Sequence, residues 1–243
     1  MPRRLVALAY GAVCHVLWFA AIAVMAVSLF GGMQVGLGPF RGWSGELWNL
    51  LLVAQFPVIH SFLLSKPGRR VLRALAPRGL GNDLSTTTYA ILASLQLLAV
   101  FGLWSPSGKV WWQPEGAALA VSSAVFALAW LLLAESMREA GLGVQAGYLG
   151  WTSVFRGRSP RYPRFPETRL FRFLRQPTYL AFALVLWTAP TWTPDRLFLA
   201  AGWSLYCYFG PRLKEARYLA RYGDEFRRYQ QAVSYWVPRR GGA

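Results

Sequence analysis

Apolar positions along this chain come in blocks and not in alternation. The run 5–30 is interrupted only by Tyr10, Cys14, His15 and Ser28. The runs 47–64, 87–104 and 117–134 are each about 18 residues, enough for a helix to cross roughly 30 Å of hydrocarbon. Two shorter runs, 178–191 and 196–210, flank Pro190-Thr-Trp-Thr-Pro194 and predict a tight helical hairpin. The expected fold class is therefore all-α, a polytopic membrane bundle of about six transmembrane helices in one integral-membrane domain over 1–243. A loop over 135–176 and a tail over 211–243 complete it. In the tail, Leu213, Ala216, Tyr218, Leu219, Tyr222 and Phe226 recur with helical spacing, so an amphipathic helix broken at Gly223 is expected.

Composition agrees with the blocks: 55% of the 243 residues are hydrophobic, 15% are charged, and 12 are Trp. That is too apolar for an ordinary wetted surface. The first run is much longer than a signal-peptide core of roughly 7–15 residues, so a retained helix is expected there.

The net charge of +16 could suggest a nucleic-acid ligand, but its distribution argues otherwise. With the N-terminus in the cytoplasm, 23 of the 26 Lys and Arg residues fall in the cytoplasmic segments; only Arg41, Lys109 and Arg196 fall outside. This is the positive-inside pattern, and it predicts both termini in the cytoplasm, in a bacterial inner membrane. Basic clusters at the ends of spans suit anionic lipid headgroups; no nucleic-acid partner is expected.

The two cysteines, Cys14 and Cys207, lie in different spans, so neither a disulfide nor a zinc site is expected, and no metal is assigned.

Polar groups retained in or beside a span are candidates for function. His60, near the end of the second span, is a candidate for the substrate side, or packs as a neutral imidazole bonded to a backbone carbonyl. His15 reads as a bundle-packing histidine, and Gln55 and Gln96 as interhelical hydrogen-bond partners. The loop carries Tyr148, Trp151, Phe155, Tyr162 and Phe165, which argues against disorder. It either lies on the membrane surface or covers a pocket, and Gln145 within it is a second substrate-side candidate. At its end, Arg175-Gln176-Pro177-Thr178-Tyr179 sets a cation beside a proline where an apolar run begins. Glu215 emerges about one turn beyond the hairpin, on the same side, or pairs with Lys214, Arg212 or another neighbouring Arg.

The order "RQPTY", hairpin, "KEARYL", "RYGDEFRRY", "VSYWVP" resembles the integral-membrane methyltransferases related to isoprenylcysteine carboxyl methyltransferase. There a basic loop leads into Arg-His-Pro-x-Tyr, and Glu-Glu-x-x-Leu follows the hairpin. Further stretches, among them "IHSFLLSKPG", "STTTYAILASLQLL" and "GLGVQAGYLGW", look like the methanethiol S-methyltransferase group along almost the whole chain. The resemblance implies S-adenosylmethionine as cofactor in a cytoplasm-facing pocket, and a small or lipid-like methyl acceptor, a thiol by preference. It assigns Arg175, Gln176 and Glu215 to catalysis. With Pro177, Tyr179, Tyr218, Tyr222 and Tyr229 they would hold the cofactor: Arg175 as a fork for its carboxylate, Glu215 toward its ammonium or sulfonium, and Pro177 bending the chain at the start of the span.

Three motif positions depart from the family. Gln176 stands for histidine, Ala216 for the second glutamate, and Ala181 for a glycine. Glutamine can hydrogen-bond a cofactor but is no base, and a thiol acceptor needs the least help from one. Two alternatives stay open: a b-type haem protein of the NnrU-like kind using His60 with or without His15, and a catalytically idle relative that only binds.

Overall fold

A computed structural model describes residues 3–77 and 79–237; Arg78, Arg239 and Arg240 of the charge count, and the Pro238 that closes the last motif, lie outside them. The protein is helical, with only isolated bridges (Trp112 with Trp192, Leu174 with Ser234) among the described residues. The long helices are α1 (Arg3–Phe30), α2 (Gly42–Leu63), α4 (Gly81–Gly102), α5 (Gly116–Glu139) and α10 (Pro194–Tyr222). Between and after them come α3 (Lys66–Leu75), α6 (Leu142–Gln145), α7 (Tyr148–Phe155), α8 (Leu170–Phe173), α9 (Pro177–Thr188) and α11 (Asp224–Ala232).

Four of these, α1, α2, α4 and α5, are long and apolar enough to cross a membrane, and they match the four long apolar runs. The hairpin is less regular. At 1.5 Å per residue, α9 reaches only about 18 Å, short of the hydrocarbon thickness. Its partner α10 runs unbroken through Pro211 from the apolar stretch into the basic one, so the apolar run and the first half of the tail helix are one element. Gly223, with φ of 55°, then ends α10, and α11 restarts at once.

One apolar core joins α1, α2, α4, α5, α9 and α10 around Trp104, Phe101, Trp203, Phe56 and Val185. Gln55 and Gln96 bond across α2 and α4, the Gln96 amide donating to the Gln55 Oε1 at 2.9 Å, as the sequence predicts.

The loop after α5 is folded. α7 packs into the groove between α1 and α4, a close approach set by glycine. A Cβ on Gly11 would lie 2.5 Å from the Trp151 ring, and Gly147 has a positive φ with Ala90 and Cys14 against it. His15 accepts from Trp151 Nε1 at 3.0 Å there, the packing role expected of it.

At the hairpin turn, Arg196 is wholly buried, although the sequence reads it as a loop charge. Its guanidinium donates to the carbonyls of Leu186, Ala189 and Thr191 and stacks over Trp192, 4.0 Å from the ring centroid. Carbonyls left unpaired at the end of α9 thus receive a cation, the charge favoured at a helix C-terminus. Beside it, the buried Asp195 carboxylate accepts from Trp104, Ser107 and Gln34. These bonds fix the hairpin, and so set where its other end presents α9 and α10.

Candidate active site

At that other end, the start of α9 meets the polar half of α10. Pro177 occupies the first turn of α9, where its missing N–H would have had no helical partner anyway. It therefore starts the helix at the head of the apolar run. Gln176 precedes it at the cap and is buried, and Arg175 comes just before.

Glu215 faces both from α10. One oxygen, Oε1, accepts from Arg175 Nε at 3.0 Å and from Gln176 Nε2 at 2.6 Å; the other accepts from Gln230 Nε2 of α11 at 2.7 Å. The carboxylate is 8% exposed, so this is a buried ion pair and not a surface one. The sequence left Glu215 free to pair with Lys214 or Arg212; it pairs with Arg175.

Arg175 also holds the tail. Its Nη1 donates to the carbonyls of Gln230 and Val233, its backbone N–H donates to Ser234 at 2.9 Å, and its guanidinium lies over Tyr235. The remaining nitrogen, Nη2, carries no hydrogen bond among the described residues.

Opposite this polar wall stand Phe171, Tyr218, Phe226 and Tyr229, closed over by Phe165 of the extended strap 156–169. Phe165 is buried against Tyr218, Tyr222, Phe226 and Tyr229 at 5.1 to 6.1 Å between ring centroids. Arg164 pairs with Glu225 of α11, and the Leu170 N–H donates to Glu139 of α5, which ties the strap down at both ends. The cavity between the walls is about 10 Å³, room for about one water.

Two observations mark the cavity as a place for a polar ligand. Gln176 Oε1 lines it, buried and with no hydrogen-bond partner among the described residues, an acceptor that costs free energy until a donor meets it. Burial also pushes the Lys214 ammonium down to about 8 against the opposing pull of Glu215. Lys214 lies over Phe171 and Tyr179 at 5.9 and 5.2 Å, so Tyr179 borders the polar wall.

The predicted residues divide accordingly. Arg175, Gln176, Glu215, Tyr218 and Tyr229 line one cavity, and Tyr222 stands behind it, packed on Phe165 and Tyr218. Gln145 donates to the Met137 carbonyl and is bonded to none of these. His60 stacks on Phe56 and bonds the Tyr89 hydroxyl, a side chain and not the backbone carbonyl its neutral reading expected. His15 and His60 stand in separate clusters, and no group of three metal-ligating side chains occurs among the described residues.

Sequence reasoning missed Gln230, named Lys214 only as a possible partner of Glu215, and left the loop that carries Phe165 as either a surface element or a cover. Of these only Lys214, beside Glu215, carried a local signal. The departures fit the geometry. Ala216 is exposed on α10, away from the carboxylate cluster, while Gln176 keeps a hydrogen bond to Glu215 and Ala181 is buried in the core.

No family model and no solved structure matches the chain. Among characterised proteins it is 30% identical to methanethiol S-methyltransferase 1 of Bradyrhizobium diazoefficiens, over 97% of this chain and 83% of that one. It is 28% identical to methanethiol S-methyltransferase of Pseudomonas sp. (strain GM41(2012)), over 98% and 92%, and 27% identical to Nurim of Rattus norvegicus, over 73% and 74%. With the first of these aligned along nearly the whole length, the chain belongs to the methanethiol S-methyltransferase family.

Proposed function

We propose that this protein is a membrane enzyme that methylates a small thiol such as methanethiol, with S-adenosylmethionine as the methyl donor. The observation that carries the reading is the buried Arg175–Gln176–Glu215 cluster under an aromatic wall, in a chain similar to methanethiol S-methyltransferases from end to end. When bound, the donor supplies an electrophilic methyl group on a sulfonium.

The residues present suit a zwitterionic amino acid joined to a nucleoside. Arg175 Nη2, without a partner among the described residues, is a charged donor for a carboxylate, while Gln176 Oε1 and Glu215 are acceptors for an ammonium. Tyr218, Phe226 and Tyr229 offer faces for a planar base once Phe165 lifts, since a cavity of about 10 Å³ cannot admit one. The strap is then a cover that opens for the donor and closes over it, excluding water from the transfer. Acceleration comes chiefly from holding the thiol sulfur in line with the methyl group.

In this reading α9 and α10 complete a six-helix count in a bacterial inner membrane. The basic ends of the helices and both termini face the cytoplasm, and the aliphatic stems and cations there meet anionic lipids. An alkaline phosphatase fused after Ala243 is expected to be inactive and a fluorescent protein there to glow; the reverse pair would overturn the orientation. The activity is tested by incubating purified protein with methyl-labelled S-adenosylmethionine and methanethiol. Labelled dimethyl sulfide in the headspace is the expected product, and absence of both donor binding and transfer would remove the reading.

A further inference from the structure

A second polar cluster lies beside the first, on the far side of Tyr179. From α2 come His60 and Ser61, from α4 Tyr89, from α9 Tyr179, and from α10 Tyr206 and Arg217. The Tyr89 hydroxyl bonds His60 Nε2, and the Ser61 hydroxyl donates to Tyr206 at 3.4 Å. His60 stacks on Phe56, with ring centroids 4.8 Å apart, and Tyr206 lies against both Phe56 and Tyr179. Four helices thus converge on a half-buried patch of hydroxyls and one imidazole.

Two features of this patch are unresolved by packing alone. His60 Nδ1 is enclosed with no hydrogen-bond partner among the described residues. Arg217 has neither an ion pair nor a hydrogen bond among them, yet its charge lies close enough to bear on His60, Tyr89, Tyr179 and Tyr206 together. Position along α10 explains this. Residues 206 and 217 are eleven apart, about three turns, and share a face, whereas 215 and 217 point to opposite sides. Glu215 consequently serves the first cluster, while Arg217 serves the second. A half-buried cation facing tyrosines and no carboxylate is matched by an anion brought from outside.

We propose that Arg217, His60 and Tyr89 form the acceptor half of the active site and bind the small thiol as its thiolate. The proposal rests on the methyl-transfer reading above and says where the second substrate sits. Tyr179, bordered by Lys214 on one side and Tyr206 on the other, is the wall the two halves share. With Nε2–H directed at the Tyr89 oxygen, His60 Nδ1 presents a lone pair and takes the S–H proton. The sulfur pair left behind, held by the Arg217 guanidinium, forms the new S–CH3 bond. The bond between that methyl and the sulfonium donor breaks, and its electrons stay on the donor sulfur as a neutral thioether. His60 then returns the proton to water. Gln176 need not act as a base, because the base stands on α2.

The test compares two acceptors of nearly equal size, ethanethiol and 2,2,2-trifluoroethanethiol, at pH 8, where the second is already largely ionised and the first is not. Arg217→Gln is expected to lower kcat/KM about 30- to 100-fold for both thiols, because the cation holds the thiolate whichever thiol supplies it. His60→Gln, which removes only the proton acceptor, should cost ethanethiol about 10-fold or more and trifluoroethanethiol no more than about 3-fold. Arg217→Lys should recover most of the loss, and Tyr89→Phe, acting through His60, should show the same acceptor dependence at about 3- to 10-fold. S-adenosylmethionine affinity, measured by calorimetry on each variant, should be unchanged, which also reports that the protein is folded.

No loss for either thiol in Arg217→Gln, equal losses for both in His60→Gln, or a parallel fall in donor affinity would each overturn the assignment. Failure of the unaltered protein to bind the donor or transfer a methyl group would remove the parent reading and this one with it. That outcome is distinct from an active protein indifferent to Arg217.

Discussion

Glu215→Ala is expected to abolish measurable donor binding and lower methyl transfer by about 10²- to 10³-fold or more. The carboxylate is the hub of the first cluster, taking hydrogen bonds from Arg175 and Gln176 at the head of α9 and from Gln230 of α11. Removing one partner of a buried ion pair costs about 3–5 kcal/mol, because the other charge stays behind without compensation. Here the stranded group is Arg175, whose side chain is only 15% exposed. Glu215→Gln keeps the shape and one acceptor but loses the charge, so it should fall between the two. Calorimetry with S-adenosylmethionine and the labelled transfer assay measure both effects, with the thermal unfolding midpoint as the check on folding. A Glu215→Ala protein that folds, binds and transfers normally would reduce the cluster to a strut between α9, α10 and α11.

The family pattern places two glutamates at this point, and only one is kept. The structure gives the reason for that asymmetry. Adjacent helix positions lie about 100° apart, so the side chains of 215 and 216 cannot both enter the cluster. Glu215 points in and is buried; Ala216 points out and is exposed. Losing the outer carboxylate leaves every hydrogen bond of the inner one in place. The exchange at Gln176 is also conservative in this sense, since its amide still donates to Glu215 and keeps an acceptor for the ligand.

How much of this was legible in the chain depended on the range of the interaction. The four long apolar runs announce α1, α2, α4 and α5, because burial in lipid demands a hydrophobic residue at nearly every position. The Gln55–Gln96 bond was legible for the same reason: a polar side chain inside such a run must find a partner. Continuity of α10 was hidden, since Gly210-Pro211 reads locally as a helix stop. So was the burial of Arg196, which depends on carbonyls contributed by the far end of α9 and the turn between. The cover formed by Phe165, the anchoring of the tail at Ser234 and the contact of Gln230 with Glu215 join segments that no periodicity relates. Resemblance supplied Arg175, Gln176, Glu215, Tyr218 and Tyr229; the fold alone supplied the bond between Arg175 and Glu215 and the part of Gln230.

Arg175→Ala should weaken donor binding by about 2–5 kcal/mol, the cost of truncating one side of a buried charged contact. Two causes could produce the loss, and they separate cleanly. Arg175 pins the tail through the carbonyls of Gln230 and Val233, so its removal frees α11 and the segment after it. It also leaves Nη2 available, the donor assigned to the ligand carboxylate. Decarboxylated S-adenosylmethionine distinguishes the two, because it keeps the ammonium, the sulfonium and the nucleoside. In the natural protein the carboxylate should be worth about 30- to 300-fold in affinity, as expected of a charge-assisted contact at a partly buried site. In Arg175→Ala that difference should shrink to about 3-fold or less, whatever the variant loses in common for both ligands. Arg175→Lys should restore part of the preference, since an ammonium supplies charge without the planar fork that spans Glu215, the tail carbonyls and the ligand at once. If both ligands weaken equally and the ratio between them survives, Arg175 is an anchor for the tail and the carboxylate is held elsewhere. The half-buried Lys214 would then be the next candidate, and the preference for the carboxylate would fade as pH rises through about 8, where that ammonium loses its proton.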